Sequence, residues 1–134
     1  MAGIKLIAAV LLTLAAARGI AQEHQHGHGE KLGAVHFATS CNEAAQMEFN
    51  RAVALLHSFQ FSRAIDGFDV VLEDDPTCAI AYWGIALSDW TNPFAPGIKA
   101  NSQLLLGRGS VERGRSLGAR TEREGAYLAA VGQL

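Results

Sequence analysis

The spacing of apolar residues between Ser40 and Trp90 constrains the fold of this chain more than any other feature. Apolar side chains recur there every three or four positions, as on one face of an α-helix, and no strand-like alternation persists after residue 40. The first such run, residues 40–59, opens with Ser40 and Glu43 in the order of a capping box, which predicts a helix start at Ser40. The sequence therefore predicts an all-α domain.

Two further helical runs follow, and turn signals separate them. Residues 62–74 and 78–90 each place their apolar side chains on one face. Pro76 lies between these runs and ends the earlier one, because proline has no amide hydrogen and disfavours helix in the residue before it. Helices joined by such short turns pack as antiparallel hairpins, so we expect antiparallel helix–turn–helix units.

The C-terminal part of the chain carries a weaker helical signal. Residues 101–118 predict a helix weakened by glycine, and Thr121 with Glu124 forms a second capping-box pattern at the start of another helix. Leu134 falls within an apolar helical run that has no stop signal. We therefore expect one helical domain over residues 40–134, truncated at its C-terminus.

A set of small, aliphatic and aromatic residues recurs at fixed positions in these runs. Its members are Ala52, Leu55, Ala64, Phe68, Pro76, Ala79, Tyr82, Ile85 and Ala86. In this order they resemble the tetratricopeptide repeat (TPR), a helix–turn–helix unit of about 34 residues in which small residues let two helices approach. Glu48 and Arg51 depart from the pattern, because the repeat has an aromatic residue and a leucine there. The resemblance implies a TPR-like α-solenoid of about two repeats.

The resemblance extends to a function. The strings VHFATSCNEAAQ, AVALLHSFQF and DPTCAIAYWGIA resemble the N-terminal part of longer secreted bacterial TPR proteins. This implies a scaffold for protein–protein interaction, whose stacked hairpins hold a partner peptide or helix. Trp90 and Phe94 adjoin an atypical loop and are predicted to line the partner-binding groove, with packing between helices as their alternative role. Nothing in the sequence identifies the partner protein or peptide.

Residues 1–21 have the features of a secretory signal peptide. Lys5 is followed by an apolar run of 12 residues, Leu6–Ala17. This run is shorter than the ~20 residues that span a bilayer as a helix. Small residues allow cleavage after Ala21 or, alternatively, after Ala17. We therefore expect a secreted or periplasmic bacterial protein with no stable membrane insertion after cleavage.

Export bears on the charge of the chain and on its two cysteines. The net charge is −2, and cleavage would remove two further positive charges, which argues against nucleic acid and anionic membranes as partners. Cys41 lies at the start of the first predicted helix and Cys78 just past the end of the second, so an antiparallel hairpin brings them together. In an oxidising compartment we expect a disulfide between them, worth ~3–4 kcal/mol in the chain-entropy model.

Residues 22–39 are predicted to form a His-rich extended leader, in which His24, His26 and His28 alternate with other residues. If the mature chain begins at Gln22, its amine, two amide nitrogens and the His24 imidazole form a square-planar set that suits Cu or Ni, and the three imidazoles together suit Zn. Cyclisation of Gln22 or an earlier cleavage would remove the square-planar set, and a hydrophilic spacer is the alternative. Periplasmic metal handling is therefore the second functional hypothesis.

No catalytic motif accompanies these features. The sequence lacks the Walker lysine motif, a G-x-S-x-G elbow, H-E-x-x-H and C-x-x-C, so we expect a protein that is not an enzyme and has no resident cofactor. His57 is expected at the surface of the first helix. His36 has no predicted site role and lies in an extended lead-in, whose Val35 and Phe37 are expected to pack on the first repeat.

Overall fold

A computed structural model of the chain describes residues 32–95, 97 and 99–134. These residues contain no β-strand, which confirms the all-α prediction. None of their helices combines the length and the apolar character that crossing a bilayer requires. The predicted signal peptide, residues 1–21, lies outside the described part of the chain. The helices are α1 (Glu43–His57), α2 (Phe61–Asp74), α3 (Ala81–Trp90), α4 (Asn101–Leu117) and α5 (Glu122–Val131).

The helices pack in the order in which they follow one another along the chain. A short turn joins α1 to α2 and the two pack together, so they run antiparallel. Contacts continue from α2 to α3, from α3 to α4 and from α4 to α5. In addition, α3 contacts both α1 and α5. The three odd-numbered helices therefore lie side by side, and residues 32–41, which we call the strap, run without regular structure ahead of α1.

Small residues allow close approach between the helices. Ala52 of α1 is fully buried, and a Cβ added at Gly67 of α2 would lie 3.0 Å from the Ala52 Cβ. Gly84 of α3 faces the ring of Phe68, which fills the space that a side chain at Gly84 would need. The sequence pattern identifies Ala52 at a helix contact but misses its partner Gly67. Close packing of this kind explains why small residues recur at the crossing points.

The residues predicted to pack the repeats lie in the core, with one exception. Those buried are Ala52, Leu55, Ala64, Phe68, Ala79, Ile85 and Ala86. Tyr82 is half-buried against the same core. Pro76 is exposed in the turn after α2. Phe49 and Trp83 complete the centre of the core, where the Phe49 ring meets the Phe68 ring edge-on at a centroid distance of 5.4 Å.

The first helix begins later than its sequence pattern predicts. Asn42 caps α1, and its side-chain oxygen accepts a hydrogen bond of 2.9 Å from the N–H of Ala45. The prediction that Ser40 and Glu43 form a capping box is therefore wrong. Ser40 lies two residues before the cap, and its N–H and hydroxyl both donate to Glu124 of α5.

Candidate partner-binding surfaces

Trp90 and Phe94, the two residues predicted to bind a partner, line the same groove. It lies between the α1–α2 turn and the loop that follows α3, and its volume is about 300 Å³. We call it the tip groove. Its walls are Leu56, His57, Phe59, Phe61, Leu87, Trp90, Thr91, Pro93 and Phe94. These walls contain no carboxylate, lysine or arginine, so the groove suits apolar rather than charged ligands.

Large apolar side chains are exposed at the tip groove. Phe94 is 82% exposed and Phe59 is 52% exposed, while Trp90 is half-buried. The Phe59 ring packs edge-on against Phe61 with a centroid distance of 5.9 Å. Neighbouring aromatic side chains that remain in water are typical of a protein-binding surface. The structure thus brings Trp90 and Phe94 together on one exposed apolar surface.

The backbone is strained at two positions in the tip groove. Phe59, with φ 59°, and Thr91, with φ 63°, are the non-glycine residues with positive φ in the part of the chain that the structure describes. Such conformations cost ~1–3 kcal/mol each and persist where the surrounding structure enforces them, often at functional sites. Helical periodicity carries no sign of this strain, so the sequence does not predict it.

Polar contacts hold the loop after α3 in position. The side-chain oxygen of Asn92 accepts a hydrogen bond of 2.9 Å from the N–H of Phe94. Lys99 donates to the Asn92 carbonyl at 2.6 Å, and its ammonium lies 5.4 Å from the centroid of the Trp90 ring. These contacts fix the start of the loop and leave the Phe94 ring directed away from the core.

The strap covers the side of the protein formed by α1, α3 and α5. The ring of Phe37 lies between Phe49 of α1, Trp83 of α3 and Tyr127 of α5, with centroid distances of 5.3, 5.4 and 5.1 Å. The guanidinium of Arg123 lies 4.5 Å from the centroid of the Phe37 ring, within the range of a cation–π interaction. The predicted packing of Phe37 is confirmed, but it reaches three helices rather than the first repeat alone.

Side-chain amides of α1 bind the main chain of the strap. Asn50 Oδ1 accepts a hydrogen bond of 3.0 Å from the Phe37 N–H, and Gln46 Nε2 donates to the Phe37 carbonyl at 2.8 Å. Gln46 Oε1 also accepts from the N–H and the hydroxyl of Thr39, at 2.7 and 2.8 Å. Both main-chain polar groups of Phe37 are thus satisfied by side chains, whichever side chain the strap carries there.

Side chains of α5 bind the strap from the opposite side. Glu124 is only 2% exposed, and its carboxylate accepts hydrogen bonds from the N–H and the hydroxyl of Ser40 at 2.6 and 2.8 Å. Arg123 donates to the Ala38 carbonyl at 2.8 Å. Thr121 caps α5 as predicted by accepting from the Glu124 N–H at 3.2 Å. The Glu124 carboxylate, by contrast, binds the strap.

A disulfide ties the C-terminal end of the strap to the chain after α2. Cys41 and Cys78 are paired as predicted, with their Cα atoms 5.1 Å apart. Cys78 is buried and Cys41 is half-buried. The pairing follows from the antiparallel hairpin, which brings the start of α1 close to the end of α2.

A buried carboxylate lies beside this disulfide. Asp75 accepts hydrogen bonds from the N–H of Asn42 and of Thr77, both at 3.0 Å, and from the Thr77 hydroxyl at 2.6 Å. Arg120 forms an ion pair with it at 3.3 Å. The pKa of Asp75 is lowered, first by the Thr77 hydroxyl and then by the two N–H groups and Arg120, which together outweigh its burial. Asp75 therefore stays ionised and joins the cap of α1 to the turn before α5.

The residues proposed as metal ligands, His24, His26 and His28, lie outside the described residues. Within residues 32–95, 97 and 99–134, no group of three or more His, Cys, Asp or Glu side chains could hold a metal ion. His36 and His57 are both exposed, and His57 lies on the rim of the tip groove.

Comparison of the chain with models of protein families, with curated proteins and with solved structures found no match. The functional conclusions below therefore depend on the residues and contacts of this chain.

Proposed function

We propose that this protein is an exported TPR-type scaffold that binds another protein through the tip groove. Three features support the TPR relationship: consecutive helices pack as hairpins, α1, α3 and α5 lie side by side, and small residues occur where α1 meets α2. The paired cysteines support export, because disulfides persist mainly in oxidising compartments.

The observation that carries the proposal is that exposed aromatic side chains and strained backbone occur together at the tip groove. The most exposed aromatic side chain of this region, Phe94, and both strained backbone positions, Phe59 and Thr91, belong to the same groove. Exposed apolar area and strained backbone each lower stability, so their combination in one place is typical of a surface retained for binding.

The chemistry of the groove indicates the kind of partner. Its walls are aromatic and aliphatic, and its volume of about 300 Å³ accommodates a few apolar side chains. An amphipathic helix presents apolar side chains in such a cluster, at spacings of three and four residues. The partner we propose is therefore an amphipathic helix that binds through its apolar face. Because the groove walls contain no carboxylate, lysine or arginine, we expect the affinity to depend only weakly on salt.

A photo-crosslinking amino acid at position 94 tests this function in the exporting cell. We expect a discrete covalent adduct with one partner, and we expect the adduct to disappear when Phe59→Ser is added. The matched control places the same amino acid at Leu105, which is 66% exposed on α4 and lies outside the groove. Equal adducts from positions 94 and 105, or none from position 94, would contradict binding through the tip groove.

A second candidate function is capture of Cu, Ni or Zn by the His-rich leader, and the alternation of His24, His26 and His28 favours it. The mass of the N-terminal peptide of the exported protein establishes whether Gln22 is a free amine. A Cu(II) titration of the same sample should then show one square-planar site that His24→Ala removes. Deletion of residues 22–29 should abolish that site without changing the helical circular dichroism. If copper binding survives the deletion, the leader is not the metal site.

A further inference from the structure

We infer that the strap is a displaceable ligand held in cis, and that the surface beneath it binds an extended segment of another protein. We call this surface the clamp face. It consists of Gln46, Asn50, Trp83, Arg123, Glu124 and Tyr127. The partner we assign to it carries an aromatic residue followed by hydroxyl residues two and three positions later, as Phe37, Thr39 and Ser40 do in the strap.

The contacts of the strap are those of a bound peptide rather than of a built-in element. The hydrogen bonds described above run from side chains of α1 and α5 to the strap main chain. No hydrogen bond between main-chain groups joins the strap to the described helices. A segment from another molecule can satisfy the same side chains equally well, because amide and carboxylate groups recognise the backbone rather than its origin.

The clamp face also requires an occupant. Without the strap, the Trp83 and Tyr127 rings lose their contact with Phe37, and the Glu124 carboxylate loses both of its hydrogen-bond donors. Exposed aromatic rings are unfavourable, and the Glu124 carboxylate exchanges its two hydrogen bonds to Ser40 for contacts with water. The face is therefore covered either by the strap or by a ligand of the same chemistry.

Covalent attachment at its C-terminal end determines how strongly the strap competes. Cys41 is followed directly by Asn42, the cap of α1, and is also bonded to Cys78, so the strap remains within a few residues of its site after it detaches. Short tethers of this kind give effective concentrations on the order of millimolar. A partner segment therefore binds weakly unless the strap is itself weakened, and this makes the strap an intramolecular inhibitor of the clamp face.

Competition with a labelled peptide tests the inference. The probe is a fluorescent peptide of strap residues 34–40, and the readout is fluorescence anisotropy with the intact disulfide-bonded protein. We expect Phe37→Ala to tighten peptide binding by at least about tenfold over the wild type, because the competing ring is removed. Adding Asn50→Ala should abolish the gain, and a peptide with alanine in place of its phenylalanine should not bind.

Two further variants distinguish binding at the clamp face from binding at the tip groove and from a purely structural role of the strap. Ser40→Ala leaves the Phe37 ring in place and removes one hydrogen bond to Glu124, so we expect a smaller gain in peptide affinity. Phe94→Ser should leave peptide binding unchanged, so failure at the clamp face is distinguishable from failure at the tip groove. No tightening in a folded Phe37→Ala protein would overturn the inference and make the strap a permanent part of the fold.

If the variants do not fold, hydrogen exchange on the wild-type protein tests whether the strap detaches without global unfolding. A displaceable strap opens locally, so we expect the amides of Phe37 and Thr39 to exchange at least about tenfold faster than core amides of α1 such as Phe49. Equal protection of the strap and α1, both exchanging only through global unfolding, would overturn the inference.

Discussion

At the scale of single residues, Asp75 provides a prediction with a defined dependence on pH. Its pKa is lowered from 3.8, first by the Thr77 hydroxyl, so the ionised carboxylate stabilises the fold above that pH and loses this effect as the pH falls. We expect Asp75→Asn to lower the free energy of unfolding at pH 7 by roughly 1–3 kcal/mol. The difference from the wild type should shrink below pH 3.8. Denaturant titrations of the wild type and the variant at pH 7 and pH 3 measure this difference in the free energy of unfolding. The same difference at both pH values would contradict the role assigned to the ionised carboxylate.

The pKa of Asp69 is shifted in the opposite direction to that of Asp75, so its replacement should have the opposite effect on stability. Asp69 is exposed, and its pKa is raised, first by partial desolvation and then by Asp66 and Glu73, which outweigh Arg113, so the ionised form is less favourable in the folded protein. Stability gained by protonation therefore increases as the pH falls from this raised pKa toward 3.8. We expect Asp69→Asn to stabilise the protein at pH 7 and to have little effect at pH 3, in the same titrations. A lower free energy of unfolding for Asp69→Asn at pH 7 would contradict the raised pKa of Asp69.

The strain at Thr91 is also measurable at the residue scale. Glycine adopts positive φ freely, so Thr91→Gly should release part of the ~1–3 kcal/mol of strain and lose ~0.5–1 kcal/mol to chain entropy. We expect a net gain of about 1 kcal/mol in the free energy of unfolding. Thr91→Ala is the control, because it also removes the hydroxyl but keeps the Cβ that causes the strain. A gain of equal size in both variants would show that strain is not the cause.

At the scale of helices and connecting segments, local spacing predicts some features and misses others. The helices were predictable because the apolar face of an amphipathic helix is encoded by residues three and four positions apart. The Cys41–Cys78 pair followed from the antiparallel hairpin together with the expected export to an oxidising compartment. Contacts of the strap were not predictable in this way, because Ser40 meets Glu124 across 84 positions of the chain. The same distant contact limits the second capping prediction: Thr121 caps α5 as predicted, but the Glu124 carboxylate that a capping box requires binds Ser40 instead.

The contact between α2 and α3 gives a prediction at this same scale. A Cβ at Gly84 would overlap the Phe68 ring, and overpacking of a core typically costs ~1–3 kcal/mol. We therefore expect Gly84→Ala to lower the free energy of unfolding by at least about 1 kcal/mol. Gly109 on α4 is the control, since a Cβ there meets nothing within 4 Å. Gly109→Ala should stabilise the protein by ~0.5–1 kcal/mol, so an equal response to both changes would contradict the packing argument.

At the scale of the whole molecule, the two candidate surfaces are supported differently. The tip groove lies at the α1–α2 turn and the loop after α3, and it is open. The clamp face spans α1, α3 and α5, and the strap occupies it. Trp90 and Phe94 could be singled out from sequence because aromatic residues beside an irregular loop are conspicuous. The clamp face could not, because its members belong to three helices that come together only in the fold.

The disulfide between Cys41 and Cys78 joins the two ends of the first hairpin and should stabilise the whole molecule. Replacement of both Cys41 and Cys78 by alanine should lower the free energy of unfolding by ~3–4 kcal/mol, because the unfolded chain regains the entropy of an open loop. Reduction of the wild type should have a similar effect, and the same reductant should leave the double variant unchanged. Denaturant titrations measure the free energy of unfolding of the double variant, of the reduced wild type and of the double variant in the same reductant. Since Cys41 ends the strap, the strap amides should also exchange faster in the double variant while those of α4 keep their protection relative to global unfolding. A loss well below ~1 kcal/mol would show that the helix contacts already restrict the unfolded chain as the disulfide does.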